Sequence, residues 1–228
     1  MLRFFLCFLG LTALLGCAEP VSPDAQARIL LMGDSLLAAN RSIKSAVADV
    51  IEADTGQEVI DRSVPGARYF YALPLSGGAG LRIAAQYRPG PWDVVIMNGG
   101  GNDLLFGCGC GQCDRVLTRL ISPDGRNGAI PALVKQVRDT GAQVIYVGYL
   151  RNPGTMTPIR ACGPVGNELD RRLAALDLLD DGMVFLPMSD LVPYGDGSYH
   201  QIDRIHPSGK ASQEIALRIM RQIALSGG

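Results

Sequence analysis

The stretch Leu30-Leu31-Met32-Gly33-Asp34-Ser35-Leu36 decides how the rest of the chain is interpreted. The apolar run over residues 27–32 predicts a short buried strand that stops at Gly33, and residues 38–54 have the spacing of a helix. A serine at such a turn lies above the carboxyl edge of a sheet, where open α/β sheets bind their ligands. Free N–H groups at the helix start also favour developing negative charge there. We therefore predict that Ser35 is a nucleophile and that distant parts of the chain supply its partners.

Apolar runs alternate with helical patterns along the remaining chain. Further strands are predicted over residues 58–63, 93–98, 143–150 and 183–187, and helices over 81–87, 115–120, 129–140, 165–179 and 208–224. Such alternation predicts right-handed crossovers and a parallel sheet, and nearly continuous apolar strands indicate a sheet covered on both faces. The fold class is therefore α/β: a three-layer α/β/α domain with about five parallel strands.

The composition fits one globular domain of ordinary size. The chain has 228 residues, of which 47% are apolar, and this is enough for one full core. Its 21 basic and 22 acidic residues give a formal net charge of −1. No basic stripe is visible, which argues against a nucleic acid as a partner.

The first residues have the pattern of a secretory signal. Arg3 precedes an apolar run over residues 4–16 that is shorter than the roughly 20 residues of a membrane-spanning helix and ends in small residues. We therefore predict a signal peptide over residues 1–16, followed by a short tether over 17–26 and one domain over 27–228.

The end of this signal carries a cysteine. Leu14-Leu15-Gly16-Cys17 resembles the lipobox of bacterial lipoproteins, in which the cysteine is lipidated and becomes the mature N-terminus. Lipid on Cys17 would hold the protein to the membrane of a bacterial cell envelope. Ala18 follows in place of the aspartate associated with inner-membrane retention, which favours the periplasmic side of the outer membrane. A simple signal peptide with a chance cysteine is the alternative.

Four further cysteines would remain in the exported domain: Cys108, Cys110, Cys113 and Cys162. Four cysteines in an exported domain most often form two disulfides, and three pairings are possible. A zinc site made by the same thiols is the alternative. In either arrangement the cysteines would clamp a loop.

Two candidate hydrogen-bond donors follow the second and third predicted strands. Gly66 comes after Pro65 in a turn, and Asn102 lies in Gly100-Gly101-Asn102-Asp103. Alone, each has an ordinary explanation, a turn glycine or an Asx turn. At the carboxyl edge of the sheet, the amide of Gly66 and the neutral side chain of Asn102 could instead stabilise an oxyanion.

A carboxylate and an imidazole stand three residues apart before the last predicted helix, in Asp203-Arg204-Ile205-His206. Asp203 could hold one ring nitrogen of His206 and leave the other to accept the proton of a serine. The second of the two histidines, His200, is the alternative base.

Together these four segments resemble the four blocks of the SGNH or GDSL hydrolase family, in their order and approximate spacing. The resemblance implies a flavodoxin-like sheet and ester hydrolysis without a metal or cofactor. It also implies Ser35 as nucleophile, His206 as general base and Asp203 as the residue that orients His206. The oxyanion hole would consist of the backbone amides of Ser35 and Gly66 with the Asn102 side chain. The cysteine cluster is not part of the general motif set.

The resemblance favours a carboxylic-ester hydrolase, with esterase-, lysophospholipase- or thioesterase-like activity through an acyl-enzyme on Ser35. Its substrate would be a small acyl ester or a lipid, and residues 67–80, 104–128 and 151–163 are expected to form the loops that set the acyl length. The same residues could act on an acetylated glycan, as an O-acetyl esterase or an acyltransferase of the cell envelope. A catalytically silent lipoprotein that binds an envelope component is the alternative of another class.

Overall fold

The computed structural model describes residues 26–71, 79–152, 154 and 157–226. The predicted signal peptide, Cys17 and the tether up to residue 25 lie outside these residues. The five strands are β1 (Ile29–Met32), β2 (Val59–Asp61), β3 (Val94–Met97), β4 (Gln143–Val147) and β5 (Met183–Leu186). All neighbouring strands are parallel, in the order β2-β1-β3-β4-β5. The predicted flavodoxin-like parallel sheet is confirmed.

Helices cover both faces of this sheet. They are α1 (Ser35–Ala38), α2 (Val47–Thr55), α3 (Gly101–Cys108), α4 (Asp114–Leu120), α5 (Ala129–Arg138), α6 (Gly163–Asp177) and α7 (Gly209–Ser226). On one face, α2 and α7 pack on strand residues that include Leu31 and Ile96. On the other face, α3 to α6 pack on strand residues that include Leu30 and Val95. All four strand residues are fully buried, which explains the continuous apolar strands and confirms the three-layer prediction.

The helix predicted over residues 38–54 is confirmed only in its second half, because α1 ends at Ala38, a 3₁₀ turn covers Arg41–Ile43 and α2 begins at Val47. Asn40 and Lys44 between them take left-handed backbone angles, with φ of +67° and +52°. Asparagine tolerates this conformation better than most residues. The side chain of Asn40 also donates a hydrogen bond of 3.0 Å to the carbonyl of Pro207. The break therefore ties the segment after Ser35 to the segment that carries His206.

The helix predicted over residues 115–120 is confirmed as α4, but the start of the loop predicted over residues 104–128 is helical, because α3 extends to Cys108. Gly100 takes a left-handed φ of +97°, which only glycine adopts easily, and α3 begins at the next residue. Asn102 consequently lies in the first turn of a helix and is held by regular structure. The helix predicted over residues 81–87 is reduced to a 3₁₀ turn over Ile83–Ala85.

The cysteines form two disulfides, Cys108–Cys113 and Cys110–Cys162. The zinc alternative is therefore not supported, because all four thiols are used. Cys110 follows α3 and Cys162 immediately precedes α6, so this disulfide joins two helices that lie on the same face of the sheet. The second disulfide closes only a short turn between α3 and α4.

Removing the two disulfides is expected to destabilise the protein unequally. The residues joined by Cys110–Cys162 are 52 apart in sequence and those joined by Cys108–Cys113 are 5 apart. Because a longer closed loop restricts the unfolded chain more, we expect the free energy of unfolding to fall by about 4 kcal/mol for the first pair and about 2 kcal/mol for the second. Urea denaturation of the two double-alanine variants measures both values. Equal losses would contradict the loop-length argument.

The order of the strands places the ligand crevice. The connection after β1 leads to β2 on one side and the connection after β3 leads to β4 on the other, so the loops after β1 and β3 separate and leave a crevice at the carboxyl edge. The loop after β1 leads into α1, and the loop after β3 leads into α3. In the part of the chain that the structure describes, none of the helices has the length and apolar character needed to span a bilayer.

Candidate active site

A cavity of about 150 Å³ lies at this crevice and brings together residues from three distant segments. Ser35 from the start of α1, Asn102 from α3 and His206 from the loop before α7 all line it. Among the described residues, no hydrogen bond joins the Ser35 hydroxyl to His206. Such bonds are often long in unliganded enzymes and shorten when substrate binds. The cavity therefore contains a hydroxyl, a neutral amide and an imidazole.

Asp203 holds the imidazole of His206 from one side. Its Oδ2 lies 2.5 Å from Nδ1 of His206, and its Oδ1 accepts hydrogen bonds of 2.9 and 3.0 Å from the backbone N–H groups of Ile205 and His206. Burial acts to raise the pKa of the Asp203 carboxyl, but these hydrogen bonds outweigh it and the pKa lies below its usual value. An ionised Asp203 fixes the ring and leaves Nε2 as the nitrogen available to take up a proton.

His200 lies outside the cavity. It is not one of the lining residues, and its Nδ1 is buried without a hydrogen-bond partner in the described chain. Burial lowers the pKa of His200, which disfavours its protonated form. The structure therefore favours His206 over His200 as the base.

The predicted oxyanion donors are the Asn102 side chain and the backbone N–H groups of Ser35 and Gly66. Nδ2 of Asn102 donates to the carbonyl of Ala67 at 3.1 Å and makes a long contact of 3.4 Å with Asp34 Oδ2. Since Nδ2 carries two hydrogens, the weaker contact leaves one hydrogen available to an oxyanion. Within the described residues, the backbone N–H groups of Ser35 and Gly66 donate to no protein acceptor. Gly66 does not line the cavity itself, but it precedes the Ala67 that Asn102 contacts.

The buried carboxylate of Asp34 connects several segments around the cavity. Its role was not predicted from the sequence. Its carboxylate is 1% exposed and accepts hydrogen bonds from the Tyr149 hydroxyl at 2.5 Å, the Leu36 N–H at 3.0 Å and the Asn98 side chain at 3.1 Å. Burial raises the pKa of Asp34, although these three hydrogen bonds oppose the shift. Asp34 thus links the turn after β1 to Asn98, directly after β3, and to Tyr149, two residues after β4.

Tyr149, which was also not predicted from the sequence, contacts both Asp34 and the start of α3. Its hydroxyl donates to Asp34 and accepts a hydrogen bond of 3.0 Å from the N–H of Gly101 at the start of α3. Burial, with a further contribution from the charge of Asp34, raises the pKa of Tyr149, so the hydroxyl stays protonated and remains a donor. The available signal was its place at the end of the strand predicted over residues 143–150, at the same sheet edge as Ser35.

Two further side chains fix the loops around the site. Asp103 accepts hydrogen bonds of 2.9 Å from the backbone N–H groups of Tyr69 and Phe70, which holds the segment after Gly66 against α3. Gln86 accepts a hydrogen bond of 2.6 Å from the N–H of Gly33 and donates one of 2.8 Å to its carbonyl. These contacts restrain the turns before Ser35 and after Gly66.

A known protein family matches most of this chain. A profile of the GDSL-like lipase/acylhydrolase family matches residues 31–213. No curated protein matches the chain significantly.

Solved structures share the fold at low sequence identity. The psychrotrophic esterase EstA from Pseudoalteromonas sp. has a TM-score of 0.56 at 21% identity, over 86% of this chain and 96% of that one. The lipase Lip_vut3 from a goat rumen metagenome has a TM-score of 0.57 at 17% identity, over 86% and 96%. TesA has a TM-score of 0.53 at 20% identity, over 85% and 96%. With the family profile spanning most of the domain, the chain belongs to the GDSL-like lipase/acylhydrolase family and is a hydrolase that acts on ester bonds.

Proposed function

We propose that the protein hydrolyses carboxylic esters through an acyl-enzyme on Ser35. The observation that carries this proposal is the shared cavity: Ser35, Asn102 and His206 line it, and Asp203 holds His206 in place. A hydroxyl beside an oriented imidazole can become a nucleophile, and nearby N–H donors can stabilise the negative charge that its attack creates.

The reaction has two matched halves. Ser35 Oγ attacks the carbonyl carbon while Nε2 of His206 accepts the hydroxyl proton, and the resulting oxyanion is stabilised by Asn102 with the amides of Ser35 and Gly66. The bond to the alcohol oxygen then breaks, and His206 returns the proton to that oxygen. Water next attacks the acyl-enzyme, His206 takes one of its protons, and the acid leaves as the proton returns to Ser35.

A panel of ester classes, in which all substrates except the glycan carry the same acyl group, tests this function. Butyryl groups on p-nitrophenol, on a thiol and on glycerol are compared with an acetylated glycan, and products are separated with and without an added sugar alcohol. We expect turnover of the carboxylic esters to the free acid. Turnover confined to the glycan, or transfer of the acyl group to the sugar alcohol, would replace this proposal with the envelope esterase or acyltransferase. No turnover of any substrate would favour a binding protein.

Replacing Asn102 by alanine is expected to lower kcat for p-nitrophenyl butyrate by about 10² to 10³, because one oxyanion donor is lost in the transition state. KM should change little, since the donor interacts weakly with the uncharged carbonyl of the substrate. Steady-state kinetics measures both, and exposed Asn127, which lies in the turn before α5, supplies a matched asparagine-to-alanine control. A kcat within threefold of wild type in the Asn102 variant would remove this side chain from the oxyanion hole.

A further inference from the structure

The cavity extends beyond the reacting groups into an apolar space between α3 and α6. Leu104 and Leu105 of α3 line it on one side, and Val165 and Leu169 of α6 line it on the other. Leu104 is 2% exposed and Leu169 is 1% exposed, so this end is closed by the protein core. We name this space, bounded by these four residues together with Cys110 and Cys162, the inner cavity.

The Cys110–Cys162 disulfide forms part of the wall of the inner cavity. Both cysteines line it, and their Cα atoms are 4.7 Å apart. Because Cys110 follows α3 and Cys162 precedes α6, the bond prevents the two helices from separating at this end. Neither Cys108 nor Cys113 lines the cavity, and Cys108 faces a different cavity, with Val116. The chain therefore contains one disulfide at the cavity and one beside it.

The leaving group and the acyl group are expected to point to opposite ends of the cavity. His206 must reach the oxygen of the leaving group, and its side chain is 37% exposed beside an Asp203 that is 41% exposed. The alcohol part of the ester thus lies towards solvent. The acyl chain, on the other side of the carbonyl carbon, is directed to the closed apolar end.

We infer that the inner cavity is an acyl pocket for short straight chains of about four to six carbons, and that the Cys110–Cys162 disulfide sets this length. The inference rests on the proposed function. The whole cavity has a volume of about 150 Å³, and an apolar cavity of that volume holds one benzene ring of six carbons, so the inner cavity, which is part of it, takes at most about six carbons. Each methylene of the acyl chain that enters the inner cavity should raise kcat/KM about fourfold. An acyl chain too long to fit should lose this gain.

The test is a series of p-nitrophenyl esters from acetate to dodecanoate. It uses wild type, the Cys110→Ala and Cys162→Ala double variant, and the Cys108→Ala and Cys113→Ala double variant as a matched control. We expect wild-type kcat/KM to peak between four and six carbons and to be at least tenfold lower at ten. Removal of the cavity disulfide should raise the ratio of the ten-carbon to the four-carbon rate at least tenfold. In the Cys108→Ala and Cys113→Ala control variant, this ratio should change less than threefold.

A point substitution tests the same pocket with both disulfides intact. Val165 is half-buried and lines the inner cavity, and Val116 is half-buried on α4 and lines the other cavity. Val165→Phe should shorten the preferred chain by at least two carbons, and Val165→Ala should lengthen it. Val116→Phe should leave the profile unchanged. Identical profiles in the two Val165 variants would overturn the inference even if a disulfide variant did not fold.

The outcomes separate this inference from the proposed function. Hydrolysis of no ester at any chain length would refute the proposed function itself. Hydrolysis with a flat acyl profile, or with a wild-type preference for ten carbons or more, would refute only the acyl pocket. A series of alkyl acetates completes the test. If kcat/KM depends strongly on the length of the alcohol and not on the length of the acyl chain, the inner cavity binds the leaving group and the inference is overturned.

Discussion

Ser35→Ala is expected to lower kcat for p-nitrophenyl butyrate by about 10⁶, the size of loss found when a serine hydrolase loses its nucleophile. The covalent route disappears, and only the oxyanion donors and substrate binding remain. These leave a rate enhancement of about 10³ to 10⁴ over the uncatalysed reaction in water. Spectrophotometric release of p-nitrophenol measures the loss. The fold should persist, because Ser35 is half-buried and its side chain makes no hydrogen bond within the described residues.

Ser45→Ala provides the control for this loss. Ser45 lies ten residues further along the chain and does not line the cavity. Within the described residues, its hydroxyl makes a single contact, of 3.4 Å, with the Ile43 carbonyl. We expect its kcat to stay within twofold of wild type. Wild-type turnover in Ser35→Ala, with the thermal midpoint unchanged, would show that another residue attacks the ester.

His206→Asn is expected to lower kcat about as much as Ser35→Ala does, because without a base the serine hydroxyl keeps its proton. The two residues act as one unit, so the double variant with Ser35→Ala should be no slower than either single variant. His200→Asn is the matched control, and we expect its kcat to stay within threefold of wild type because His200 does not line the cavity. A large loss in His200→Asn with little in His206→Asn would reverse the assignment of the base.

The sheet could be predicted from the sequence because its signals are local. Leu30 and Leu31 point to opposite faces of β1 and both are fully buried, so a continuous apolar run was a reliable sign of a covered parallel strand. The candidate residues were predictable for a related reason. Parallel strands end at one edge, so Ser35 and Asn102, which follow β1 and β3, had to lie near each other.

Features that depend on distant contacts were not predictable. The break between α1 and α2 is accompanied by a bond from Asn40 to the carbonyl of Pro207, 167 residues along the chain. Asp34 has a partner in Tyr149, 115 residues away, and no pattern near Asp34 reveals that its carboxylate is buried. Four cysteines allow three pairings, and only the packing of α3 beside α6 selects the bond between Cys110 and Cys162.

The similarity to solved structures leaves the choice of substrate open. Identities of 17% to 21% support a shared fold and carry no information about which acyl group this chain accepts. The disulfide wall and the closed apolar end are features of this chain, which is why the chain-length series is the informative experiment on specificity.

Covalent labelling with a fluorophosphonate tests the central claim most directly, namely that hydroxyl 35 and imidazole 206 work as one unit in one cleft. The protein is treated with the probe, its intact mass is measured, and the modified peptide is sequenced, in parallel with His206→Asn. We predict one adduct per chain, located on Ser35, formed as ester hydrolysis is lost and at least 10³-fold slower in His206→Asn. An adduct on another residue, or hydrolysis that continues after Ser35 is fully modified, would contradict the account.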